Sequence, residues 1–94
     1  MVAATVLLGV LGDVSAQESR YLAGACTSCH GTDGHPVLAG TMPALAGMAR
    51  ADFVERFNAL RNGTQPSTIM HQIARGFSDE QIALLAEFFW RQAR

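Results

Sequence analysis

Cys26, Cys29 and His30 stand together as C-T-S-C-H, and this spacing is the attachment motif for a c-type haem. Cysteines at i and i+3 project from adjacent turns of a helix, so both sulfurs can bond the two vinyl groups along one haem edge as thioethers. The next residue is rotated by about 100°, which lets His30 leave the helix at a different angle and reach the iron as the proximal axial ligand. Three other chemistries could use the same residues. A redox-active Cys26–Cys29 disulfide of thioredoxin type needs a βαβ setting, whereas the residues before Cys26 read as helix without strand character. A structural zinc needs four ligands, and His35 and His71 could complete a set, but the paired ligand spacing of such sites is missing. A buried reduced pair is disfavoured in an exported protein, where free thiols oxidise.

The second axial position of a haem decides whether the iron carries electrons or binds small molecules, and methionine there favours electron transfer. Met42, Met48 and Met70 are candidates, with His35 and His71 as rivals. Met42 and Met48 flank the turn P-A-L-A-G at 43–47 like ordinary packing residues, the default role of methionine in an apolar stretch. Met70 lies forty residues after His30, far enough for the chain to circle a haem edge and return on its other face. His71, beside it, reads as a solvated surface histidine that could replace the thioether in some states.

Helices must carry these residues. The spacing predicts a first helix over 19–29, with Leu22, Cys26, Cys29 and His30 on one side. A loop rich in Gly31, Gly34, Pro36, Gly40 and Pro43 follows. Asp52 and Glu55 are expected to form a capping box for a helix ending at Asn62-Gly63, with Phe53, Phe57 and Leu60 as its buried stripe. A short helix over 67–75 should stop at Gly76, and a second capping box, Ser78 with Gln81, should start a last helix whose apolar face is Ile82, Leu85, Phe88 and Phe89. The predicted fold is all-α, about four short helices joined by long loops, without a convincing strand alternation.

The start of the chain reads differently from the rest. Residues 1–12 are apolar and Val14-Ser15-Ala16 offers small residues for cleavage, so 1–16 is expected to be an export signal and 17–94 the working domain, placed in the periplasm. The apolar run is shorter than the ~20 residues that span a bilayer, so no membrane span is expected in the mature protein. Nothing basic precedes Arg20, which is unusual for a signal, and the alternative is an apolar N-terminal helix packed on the domain, weakened by Gly9 and Gly12. Without residues 1–16 the domain has 78 residues, seven arginines and seven acids, Asp13 being the one charge removed. So few residues bury a modest core and usually need a cofactor, metal or disulfide for stability. The net charge of −1, with arginines scattered singly and no lysine, excludes a nucleic-acid footprint.

CTSCHGTDG at 26–34, MPALAGM at 42–48, STIM at 67–70, IARGFS at 73–78 and the closing LAEFFWRQ resemble class I cytochromes c. The likeness is narrowest, through STIM and IARGFS, to the cytochrome subunit of flavocytochrome c sulfide dehydrogenases. It covers 18–92. It implies one covalently bound haem c, Cys26 and Cys29 as thioether sites, His30 and Met70 as axial ligands, and a flavoprotein (FAD) partner that oxidises sulfide. Many such subunits carry two haem domains, whereas this chain has one C-x-x-C-H and holds one haem. The family's glycine-proline pair, whose proline carbonyl accepts the proximal histidine's ring proton, has no obvious counterpart between Val37 and Pro43; Pro36 or another carbonyl is expected to serve.

These features lead to an exported electron-transfer protein that does no bond-making chemistry itself. It takes electrons singly from a sulfide-oxidising flavoprotein and hands them to a downstream acceptor. The single haem equally suits a free soluble shuttle between periplasmic or membrane complexes. A gas-binding sensor would instead need an open distal position. With charges balanced and no lysine ring, partner contact at the haem edge is expected to rest on apolar residues, with Met42, Pro43 and Ile69 as candidates.

Overall fold

The computed structural model describes the backbone of residues 2–37 and 42–94 and the side chains of 16–37 and 42–94. Gly40 and the apolar side chains of 1–15 therefore lie outside the described part. Four α-helices make the fold: α1 (Val2–His30), α2 (Arg50–Asn62), α3 (Met70–Ala74) and α4 (Asp79–Trp90), with a 3-10 turn at Thr32–Gly34 between α1 and α2. The described residues contain no strand. The predicted all-α architecture is the observed one.

The first helix is longer than the 19–29 expected. It runs unbroken from Val2 through Gly9 and Gly12 to His30. A single glycine costs a helix interior only about 1 kcal/mol, and the alanine, leucine and glutamine around these two are good helix formers. Among the described residues, no helix is long and apolar enough to cross a membrane.

At the other end of α1, the backbone turns sharply through two glycines. Gly31 has φ +88° and a Cβ there would lie 1.7 Å from the carbonyl oxygen of His35. Gly34 has φ +85°, and a Cβ would meet the Ala46 nitrogen at 2.7 Å and the Phe89 ring at 2.9 Å. Only glycine fits either position. The Gly34 carbonyl accepts from the Leu45 and Ala46 amides at 2.9 and 3.2 Å. That bond pair pins the 43–47 segment against the residues that follow the cysteine motif.

The α2 start departs from expectation. Asp52 does not cap it; the helix begins three residues earlier than expected, with Ala49 as N-cap and no side-chain hydrogen bond there. Arg50 and Ala51 are strong helix formers, and the Gly47 amide is held 2.7 Å from the Phe89 carbonyl, so the chain is already aimed to begin turning at 50. Asp52 falls instead in the first turn, where its charge faces the positive end of the helix dipole. The end at Asn62, with Gly63 left-handed at φ +85°, is as expected. So is the Ser78–Gln81 capping box, with both reciprocal bonds present at 2.9 and 3.2 Å.

The core lies where α1, α2 and α4 meet. Ala23, Phe53, Phe57, Ala74, Ile82, Leu85, Ala86 and Phe89 are buried there. Phe53 stacks on Phe57 and on Phe89 with centroids 5.6 and 5.7 Å apart, and Phe77 meets Phe57 edge-on at 5.5 Å. Phe88, expected on the same face, is only partly buried and packs at the margin. On the surface, Glu87 of α4 binds Arg50 of α2 and, at 2.7 Å, Arg91. The two guanidiniums hold the Glu87 carboxyl far below its usual range, at about 2.

Candidate functional site

Between α1, α2 and α3 an apolar crevice of about 400 Å³ opens, a size typical of sites for cofactors. Cys26, Cys29 and His30 line it from the end of α1, and Phe53, Phe57 and Leu60 from α2. Met70, Ile73 and Phe77 close it from α3 and beyond. All four residues read from the sequence as haem contacts, Cys26, Cys29, His30 and Met70, thus face one cavity. The phenylalanine stack of the core forms its inner wall.

Each member of the motif has a distinct setting. Cys26 is half-buried against the core and Cys29 is exposed at the mouth. Burial pushes the Cys26 thiol up to about 11, an environment that resists thiolate and suits the uncharged sulfur of a thioether. His30 is buried at 7% exposure. Its Nδ1 donates to the Pro43 carbonyl oxygen at 2.8 Å. A carbonyl only accepts, so the ring proton sits on Nδ1 and the Nε2 lone pair is left to bind a metal.

The acceptor is therefore Pro43, not Pro36. The Gly34 carbonyl, through the Leu45 and Ala46 amides, brings the chain at 43 back behind the His30 ring. Nothing in the sequence marks Pro43 as the acceptor, because thirteen residues separate it from His30 and no local pattern links them. The loop's return to the Gly34 carbonyl is the connection, and it is made only in three dimensions.

The candidates for the far position separate by location. Met42, Met48 and Met70 all line the crevice. Met42 is half-buried and adjoins Pro43, whose carbonyl accepts from His30 Nδ1. Met48 packs against the buried core cluster. Met70 opens α3, reached by the separate 63–69 connection, and is half-buried.

The two remaining histidines do not line the crevice. His71 is not the solvated surface residue expected: it is half-buried, and its Nδ1 donates to the Leu60 carbonyl at 2.8 Å. With the His71 amide donating to Ser67 Oγ at 3.0 Å, this ties α3 to the last turn of α2. His35 lies on the surface with Nδ1 3.2 Å from the Thr32 carbonyl and Nε2 against that of Ala93. Among the described residues, no three His, Cys, Asp or Glu side chains gather as a metal site, so the zinc alternative finds no support in the fold.

The crevice fits haem c: a covalent anchor pair and an imidazole with a free Nε2 on one wall, thioether sulfurs on others, and aromatic and aliphatic side chains to take a flat apolar ring. Comparison with known proteins agrees. The family model for cytochrome c matches residues 18–92. The chain is 35% identical to the cytochrome subunit of sulfide dehydrogenase from Chlorobaculum tepidum, over 81% of this chain and 67% of that one. It is 36% identical to cytochrome c-554(548) of Halomonas halodenitrificans, over 86% of this chain and 98% of the relative. It is 39% identical to a thiosulfate dehydrogenase electron acceptor of Stutzerimonas stutzeri, but covers only 31% of that protein. The chain belongs to the cytochrome c family, an electron-transfer protein with covalently bound haem c.

Proposed function

We propose that Cys26 and Cys29 hold the haem as thioethers, that His30 and Met70 are its axial ligands, and that the protein accepts electrons from a sulfide-oxidising flavoprotein outside the cytoplasm. When bound, the haem supplies reversible one-electron reduction of its iron. The protein's own residues do the rest. Pro43 holds His30 in the tautomer that presents Nε2 and raises its basicity. Phe53, Phe57 and Leu60 exclude water, which leaves the iron's charge to be set by protein groups. His71 and Ser67, by fixing the start of α3, hold the Met70 thioether in place.

The observation that carries this reading is the shared crevice, with an imidazole whose proton is fixed on the far nitrogen. The mouth suits transfer to a partner. Cys29 and Pro43 are exposed there, Ile69 is 59% exposed, and no lysine surrounds them. A flavoprotein donor is supported by the likeness to a sulfide dehydrogenase cytochrome subunit. Export is supported by the apolar residues 1–12 and the small residues before 17, with 17–94 as the mature domain. A free shuttle is the second reading, favoured by the Halomonas cytochrome, which this chain covers almost entirely.

The two readings differ in salt response. An apolar interface is insensitive to moderate ionic strength, whereas charge-steered encounters weaken steeply as salt screens them. Purification from the native host through a rising salt series is expected to retain a flavin-containing subunit with the haem. Recovery of the haem protein alone at every salt concentration would favour the shuttle.

A further inference from the structure

Met70 stands on the shortest α-helix of the fold. α3 has five residues, too few to hold a helical shape by its own hydrogen bonds, and its main packing partner is α2. Where Met70 sits therefore depends on what ties α3 down at each end.

The entry to α3 is tied to the last turns of α2. Besides the bond from His71 to the Leu60 carbonyl, the Gln65 amide donates to the Ala59 carbonyl at 3.0 Å and Thr64 Oγ donates to the same oxygen at 3.3 Å. Across the exit, the tie comes from Arg61, the residue after Leu60. Its Nη1 donates to the Phe77 carbonyl at 3.1 Å and its Nη2 to Asp79 Oδ1 at 2.5 Å. Phe77 immediately precedes Ser78, the N-cap of α4, and the helix ladder begins with the Ser78 carbonyl accepting from the Ile82 amide. The Phe77 carbonyl thus stands outside that ladder and needs a donor from elsewhere.

The two contacts of Arg61 differ in weight. Asp79 is 84% exposed, against 30% for the Arg61 side chain, so water and salt screen the ion pair and it contributes little. The partly buried bond from a charged donor to the carbonyl is the stronger kind. Phe77 in turn lines the crevice and meets Phe57 edge-on. Leu60 and Arg61, neighbours on α2, therefore grip α3 at its two ends.

We infer that Arg61 is a positioning residue for the distal ligand: by gripping the Phe77 carbonyl it keeps α3 closed and limits how readily Met70 yields the iron to an outside ligand. This rests on the Met70 ligation proposed above. Arg61 is not among the residues lining the crevice, so it acts through α3 and touches no reacting atom. An outside ligand binds only where α3 has opened, so its apparent affinity scales with the open fraction. Loss of one charge-assisted bond raises that fraction by about tenfold.

The test is titration of the purified ferric holoprotein with imidazole at neutral pH, followed by the near-infrared sulfur band. Arg61→Ala is expected to show the band before imidazole is added and to bind imidazole about tenfold more tightly than wild type. Arg61→Gln, the milder change, should move in the same direction. Arg61→Lys keeps a charged donor, and Asp79→Asn removes only the exposed pair; both should stay near the wild-type affinity. Arg50→Ala, which breaks the ion pair with Glu87 of α4, controls for general loosening and should also stay there. Wild-type affinity in both Arg61→Ala and Arg61→Gln would overturn the inference, as would an equal rise in Asp79→Asn or Arg50→Ala. A wild-type protein without the sulfur band would instead fault the ligation by Met70 and, with it, this role of Arg61.

Discussion

Met70→Ala is expected to abolish the weak near-infrared charge-transfer band of sulfur-ligated ferric haem and to lower the reduction potential by a substantial part of the ~0.8 V span that axial ligands govern. The thioether favours ferrous over ferric iron, so its loss makes the protein a weaker acceptor. Each 59 mV lost is tenfold in the equilibrium with a one-electron donor. Met42→Ala and Met48→Ala should keep the band. Met42 is tethered to the carbonyl behind His30, and Met48 packs on the core cluster. Because His71 is held to the Leu60 carbonyl, it should not capture the iron in Met70→Ala unless that tie is broken; a His71→Ala change added to Met70→Ala should leave the spectrum of the single variant unaltered. Persistence of the sulfur band in Met70→Ala would move the ligand elsewhere.

The second large effect concerns folding. The double variant Cys26→Ala/Cys29→Ala, deprived of covalent haem, is expected to lose its cooperative thermal transition and most of its helical circular dichroism. The phenylalanines that fill the core also form the crevice wall: Phe53 and Phe57 are buried in the cluster and line the cavity, with Leu60, Ile73 and Phe77 beside them. Emptied of its ring, that wall faces water. Burying a side chain of this size contributes roughly 1.5–3 kcal/mol, so weakening several such contacts removes stability comparable to the ~5–10 kcal/mol that a domain this small possesses. A melt of the double variant matching the holoprotein would show that packing among the helices suffices.

How much of this could be read from the residues alone depends on how local each signal is. The Ser78–Gln81 box and the Asn62-Gly63 stop are decided within a few residues, and both are found as expected. The Asp52–Glu55 pattern is equally local, but the Gly47–Phe89 backbone bond starts the helix earlier and leaves Asp52 inside the first turn. The fate of His71 was hidden for a similar reason. Its partner is a backbone carbonyl eleven residues away, exposed by the end of α2. Side chains betray themselves in a sequence; carbonyls do not, and the same blindness hid Pro43 behind His30. The C-x-x-C-H motif is legible because its chemistry resides in side-chain types, whereas side-chain type alone leaves Met42, Met48 and Met70 alike as candidates, and all three line the crevice. That Arg56 shares their crevice emerges only once α2 is packed against α3 and α4, and α1 against α4.

The central claim is that Cys26 and Cys29 carry the haem. Intact mass spectrometry of the denatured, purified wild-type protein, beside a haem stain of the same sample, tests it directly. The account predicts the mass of the chain plus one haem, with neither cysteine alkylated after reduction, and the haem signal lost in Cys26→Ala/Cys29→Ala. A chain mass without haem, and two cysteines that alkylate after reduction, would contradict it.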